Sequence, residues 1–192
     1  MKPFLYICLF IFTIQNTEAQ VKYIDSLYDV EKVQTEIYAE KNNEKLIIDL
    51  YQPINSEKVR PLIVFMHGGG FSGGSPKNQQ EVKFAKIAAS KGYTVGLISY
   101  QLVRKGKDNG FGCDFDASGK LETFQLAAED FMDAVKFMKD HAEKFNIDSD
   151  KIIVGGSSAG AEAVLNAVYN PDLMFEDSEK YADIKFSAVI SL

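Results

Sequence analysis

Ser158 lies at the centre of Gly156-Ser157-Ser158-Ala159-Gly160, a G-x-S-x-G spacing set between the apolar run Ile152-Ile153-Val154 and an amphipathic segment. A serine on such a strand-to-helix turn is forced into a strained conformation that lifts its hydroxyl clear of a sheet, which suits it to attack an acyl carbon. Bulky residues two positions away on either side would collide with the crossing backbone, and Gly156 and Gly160 meet that requirement. The competing reading is a turn whose small residues merely permit close packing; a second motif favours the chemical one. His67-Gly68-Gly69-Gly70-Phe71 directly follows a buried apolar run. Acyl transfer builds negative charge on an oxygen, and backbone N–H groups with no side chain in the way stabilise it. Losing one such donor typically costs about 2.7 to 4 kcal/mol of barrier. The same glycines could cradle a phosphate, but no Gly-Lys-Ser/Thr follows them and no helix begins immediately after.

Other residues of reactive type have plainer readings. His141 is the second of two histidines and stands among Lys139, Asp140 and Glu143 near the end of a long amphipathic stretch, where a solvated surface residue is expected. Cys113 has no neighbouring histidine to activate it and reads as a packed or idle thiol. Asp148-Ser149-Asp150 lacks the further oxygen ligands of a calcium loop and reads as a polar turn leading into a strand. Phe111 and Phe115 either line a substrate pocket or pin their loop to the body. Nothing in the pattern calls for a metal or another cofactor.

The elements that must position these residues alternate along the chain. Gln34 to Ala39 and Lys45 to Tyr51, separated by Lys41-Asn42-Asn43-Glu44, predict a hairpin at a sheet edge, closed by Pro53. Leu62 to Met66 is continuously apolar, as expected of a strand buried on both faces in a parallel sheet. A helix is predicted over 78–90 with Phe84, Ile87 and Ala88 on its apolar stripe and Lys91-Gly92 as its stop. Tyr93 to Ser99 reads as a strand and 105–119 as a long surface loop. Leu121 to Lys144 reads as a helix with Phe124, Ala127, Ala128, Phe131, Ala134, Val135 and Met138 on one side. A strand over 151–154, a helix over 159–168 and a strand over 186–192 complete the series. The fold class expected is α/β, a mostly parallel sheet flanked by helices, in one domain.

Residues 1–19 read as an export signal: Lys2, then the apolar run Phe4 to Ile14, then Thr17-Glu18-Ala19 before a cut near Gln20. The run is shorter than the ~20 residues that a membrane span needs, and Cys8 lies inside it, which disfavours a lipid-anchored cysteine. A secreted or periplasmic protein is expected. The net charge of −6 survives removal of Lys2 with Glu18 and argues against nucleic acid or an anionic membrane as partner. Only Cys113 remains after cleavage, so no internal disulfide can form and the core must hold the fold.

The order HGGGF, Ser99-Tyr100-Gln101-Leu102, a long helix, Asp148 to Lys151 and GGSSAG resembles, over about residues 33–192, the esterase and lipase branch of the α/β-hydrolases related to hormone-sensitive lipase and to acetyl- or feruloyl-type esterases. That resemblance implies Ser158 as nucleophile, the backbone N–H groups of Gly69, Gly70 and Ala159 as the oxyanion hole, and His67 as an organiser of its loop, not the base. Gln101 departs from the arginine of many relatives and puts a local ion pair in doubt. In such folds an Asp or Glu and then a His follow the serine, yet 34 residues follow Ser158 and none is His. The expectation is a hydrolase domain incomplete on its C-terminal side, with an open apolar edge at its last strand. The function expected is hydrolysis of a small-molecule or carbohydrate ester through an acyl-enzyme. The alternatives are an inactive scaffold, or a peptidase of the same fold, for whose usual extra domain Gln20 to Val33 leaves no room.

Overall fold

Alternation decides which face each strand residue serves. In β3 (Arg60–Met66), Leu62, Val64 and Met66 join one apolar cluster while Ile63 and Phe65 join another on the opposite face. Both faces are covered, so the run is apolar throughout. The computed structural model describes residues 22–54, 59–107 and 111–192, apart from the side chains at 32 and 33. The expected export signal over 1–19 lies outside those residues. Among them no helix is long and apolar enough to cross a membrane.

Six strands form one sheet in the order β1-β2-β4-β3-β5-β6 among the described residues. β1 (Val30–Lys41) and β2 (Glu44–Pro53) pair antiparallel as the expected hairpin, and β1 is its outer edge. Asn42 and Asn43 both have positive φ, 52° and 62°, which fits the turn that matches strand twist. β2 pairs antiparallel with β4 (Thr94–Ile98). From there β4, β3, β5 (Ile147–Gly156) and β6 (Phe186–Ser191) run parallel. α1 (Gln79–Ser90) covers one face, and α2 (Ala117–Asp140) with α3 (Ala159–Tyr169) covers the other. Burying each large side chain, such as Phe131 or Leu62, contributes about 1.5–3 kcal/mol.

Several predicted boundaries and one stripe are corrected. The buried face of α1 is Glu81, Ala85, Ala88 and Ala89, whereas Ile87 is 47% exposed and Phe84 only partly buried. Small residues let the helix lie close on the sheet, and an apolar-only reading of the stripe hid Glu81. The long helix starts at Ala117 and ends at Asp140, not 121 and 144, because Asp116 accepts a hydrogen bond from the N–H of Gly119 (3.0 Å) and caps the start. The predicted loop therefore stops at 116. Asp148 to Asp150 belong to β5 and are not a turn: Asp148 pairs opposite Pro61, with an irregularity before Leu62. A short helix α4 (Pro171–Met174) and a 3₁₀ turn (Ser178–Tyr181) lead into β6.

Candidate active site

β3 and β5 are neighbours in register, Met66 opposite Gly156, so the glycine run after β3 and the serine turn after β5 meet at the carboxyl end of the sheet. Their next strands lie on opposite sides, the kind of topological switch where open α/β sheets bind ligands. Beyond β5 the chain turns sharply into α3. Ser158 sits on that turn at φ 50° and ψ −121°, a conformation strained for a residue with a Cβ, and its side chain is exposed. A Cβ on Gly156 would lie 2.5 Å from the carbonyl carbon of Gly160, and one on Gly160 would lie 2.4 Å from the Met66 oxygen. The two glycines are what allow α3 to start directly over β3 and β5.

The glycine run lies against this turn. The Ser157 N–H donates to the Met66 carbonyl (3.1 Å), and the Gly68 N–H donates to Ser157 Oγ (2.9 Å). A Cβ on Gly68 would approach Ser158 Cβ to 3.1 Å. Gly69 and Gly70 follow at φ 127° and 61°, and among the described residues neither donates its N–H to a protein acceptor. Ala159 is the first residue of α3, where an N–H has no intrahelical acceptor. Among the described residues the N–H groups of Gly69, Gly70 and Ala159 thus have no acceptor in the protein.

His67 shows how the loop is held. Its Nδ1 stands 2.7 Å from the carbonyl of Gly68, and because a carbonyl only accepts, Nδ1 carries the proton. The peptide is planar, so pointing the Gly68 oxygen at His67 points the Gly69 N–H the other way. The ring is 2% exposed, and burial pushes its pKa below the ordinary histidine value, against smaller opposing effects of the Gly68 hydrogen bond and the nearby Glu81 charge. A neutral ring suits a single fixed donor. The imidazole stacks on Tyr100 (4.6 Å between centroids), which in turn meets Phe71. Phe71 is buried at φ 58° and meets Phe111 and Phe124 edge-on.

Phe111 and Phe115 pin their loop: the Arg104 guanidinium lies over both rings, at 4.9 and 4.0 Å, and the Arg104 N–H donates to the Phe71 carbonyl. Gln101 gives hydrogen bonds where an ion pair was in doubt. Its N–H and Nε2 donate to buried Asp130 at 2.8 and 3.1 Å, and the ion pair to Asp130 comes instead from Lys41 at 3.0 Å. Lys41 and Asp130 are far apart in sequence, and neither stood out before the fold joined them.

The remaining candidates lie elsewhere. His141 caps the C-terminal end of α2, exposed, with Nδ1 2.8 Å from the Phe137 carbonyl. It belongs to the opposite end of the sheet from Ser158, about 20 Å away given the six steps of β3 at ~3.3 Å each. Cys113 is an exposed free thiol. Asp148 pairs with Lys151 at 2.6 Å. Two grooves of about 360 and 310 Å³ run along α2 and the 171–186 segment, and Ser158 lines neither. Sequence reasoning missed Glu81 and its link to the turn, where the Ser157 hydroxyl donates to it at 3.3 Å. A polar residue inside the apolar spacing of α1 was the signal for Glu81.

The mostly parallel sheet covered by helices, with a strained serine turn at its carboxyl end, defines an α/β-hydrolase fold. The sequence profile of the BD-FAE family matches residues 48–192, and the chain belongs to that family. Gut esterase 1 of Caenorhabditis elegans is 32% identical over 131 residues, which cover 66% of this chain and 21% of the relative. The chain thus spans about a fifth of that protein's length. Among solved structures, esterase 2 of Thermogutta terrifontis phosphonylated by sarin superposes with a TM-score of 0.61 at 23% identity, covering 82% of this chain and 52% of that one. Brefeldin A esterase, a bacterial homologue of human hormone sensitive lipase, superposes with a TM-score of 0.58 at 18% identity, covering 82% and 42%.

Proposed function

We propose that this chain carries the nucleophile and oxyanion donors of an exported carboxylic-ester hydrolase. The Ser158 oxygen forms a bond to the ester carbonyl carbon while the carbonyl oxygen takes negative charge facing the N–H groups of Gly69, Gly70 and Ala159. Collapse of that intermediate breaks the bond to the alcohol, which leaves with a proton, and water then releases the acid from Ser158. Small-molecule or carbohydrate esters outside the cytoplasm are the proposed substrates, with the export signal over 1–19 providing the route. The proton-accepting step falls to a group other than the two histidines of these residues. His67 is buried with its Nδ1 proton held by Gly68, and His141 lies at the far end of the sheet.

The observation that carries this reading is the approach of the glycine run to the strained serine, 3.1 Å from a Cβ at Gly68 to Ser158 Cβ. The test draws on the solved relative that sarin phosphonylates. A fluorophosphonate probe added to the full-length protein is expected to label Ser158, mapped by mass spectrometry. Ser158→Ala is expected to lose both the adduct and ester turnover while its circular dichroism stays unchanged. An adduct at Ser157, or undiminished turnover in Ser158→Ala, would place the nucleophile elsewhere.

A further inference from the structure

Two consecutive peptide planes lead to the donors, and each is held by one side chain. The plane ending in the Gly68 N–H is held by Ser157 Oγ at 2.9 Å, and the plane that starts with the Gly68 carbonyl is held by His67 Nδ1 at 2.7 Å. With both fixed, the direction of the Gly69 N–H is fixed too. A serine hydroxyl rotates freely on its own and can present either its proton or a lone pair. Here Glu81 removes the choice. The Ser157 hydroxyl donates a hydrogen bond to its carboxylate at 3.3 Å, so the lone pair faces Gly68. Glu81 is 7% exposed in the first turn of α1, turned inward where the stripe of that helix is otherwise alanine.

We propose that Glu81, acting through the Ser157 hydroxyl, is a positioning residue for the oxyanion donors of the glycine run. The proposal rests on the ester-hydrolase reading. Neither side chain needs to touch substrate; their contribution is to hold the donors where charge develops, so the effect belongs in kcat and not in KM.

The test uses the full-length protein with a p-nitrophenyl ester, alongside hydrogen exchange of the Gly68 amide measured without substrate. Ser157→Ala and Glu81→Ala are each expected to lower kcat by about 10- to 100-fold, less than outright loss of a donor, with KM changed by less than about threefold. Glu81→Gln keeps an oxygen that accepts the hydroxyl proton and is expected to stay within about threefold of the parent. Because Glu81 acts through Ser157, the double Ala variant should be no slower than Ser157→Ala alone. The Gly68 amide should exchange faster in both Ala variants and not in Glu81→Gln. Unchanged kcat in Glu81→Ala, losses that multiply in the double variant, or a Glu81→Gln as slow as Glu81→Ala would each overturn the proposal. A failure of the hydrolase reading itself is seen separately, as turnover that survives Ser158→Ala. The exchange data then still decide whether the hydrogen-bond chain holds Gly68.

Discussion

At position 158 a side chain occupies a backbone conformation that ordinarily costs about 1–3 kcal/mol, and the surroundings leave it no alternative. The Ser157 N–H is tied to Met66, the Ser158 N–H to Leu192 (2.9 Å), and α3 begins one residue later. The strain raises the hydroxyl off the end of β5, so stability and exposure of the proposed nucleophile are opposed at one residue. Ser158→Gly relieves the Cβ conflict and is expected to raise the stability by about 1 kcal/mol after its larger loss of chain entropy, read as a higher urea midpoint. Ser158→Ala keeps the Cβ and should leave the midpoint unchanged. A Ser158→Gly variant less stable than its parent would mean the turn is not strained.

Between elements, the connection that matters is electrostatic. Lys41 at the end of β1 lies 3.0 Å from Asp130 and 2.7 Å from Asp133 on α2, and Asp133 also accepts from Lys180 (2.6 Å) and Tyr181 (2.7 Å) of the 3₁₀ turn. One carboxylate therefore fastens the hairpin and the approach to β6 onto the long helix. The two acids respond oppositely. Burial is the largest influence on Asp130 and raises its pKa, whereas at Asp133 the opposing burial is outweighed by the bonds from Lys180, Lys41 and Tyr181, which hold it below the ordinary aspartate value. A depressed carboxyl contributes stability above its unfolded value that disappears as pH falls through the folded one. Asp133→Asn is expected to cost about 2 kcal/mol at pH 7, and the difference from the parent should shrink as pH falls below about 4. Urea unfolding from about pH 2.5 to 7 checks it; a constant difference would remove the ion pairs as the cause. Asp130 has the reverse sign, so its burial favours the fold more at acid pH and less as pH rises.

Across the whole molecule the sheet is protected unevenly. β1 is an edge with register shifts, which blunt it, while β6 pairs only with β5 among the described strands and much of its length is exposed. An open parallel edge offers backbone groups to any other strand. The 192-residue chain is expected to self-associate with rising concentration. Ala188→Lys, at an exposed site of β6, should lower the weight-average mass in sedimentation equilibrium. Equal masses for the two would show that association does not run through this edge.

Local chemistry fixed much of this in advance. The continuous apolar run of β3, the paired asparagines of the hairpin turn and the small residues around Ser158 each constrain the backbone within a few positions, so the α/β alternation and the serine turn were readable from residue order. The limits of α2 and β5 were not, because a cap at Asp116 and pairing of Asp148 with the strand beside it override an apolar pattern. The partners of Glu81, Ser157, Lys41 and Asp130, and the packing of the His67 ring on Tyr100, were decided only by tertiary structure. These contacts join atoms that share no neighbourhood along the chain, and a hydrogen bond depends on distance and angle in space.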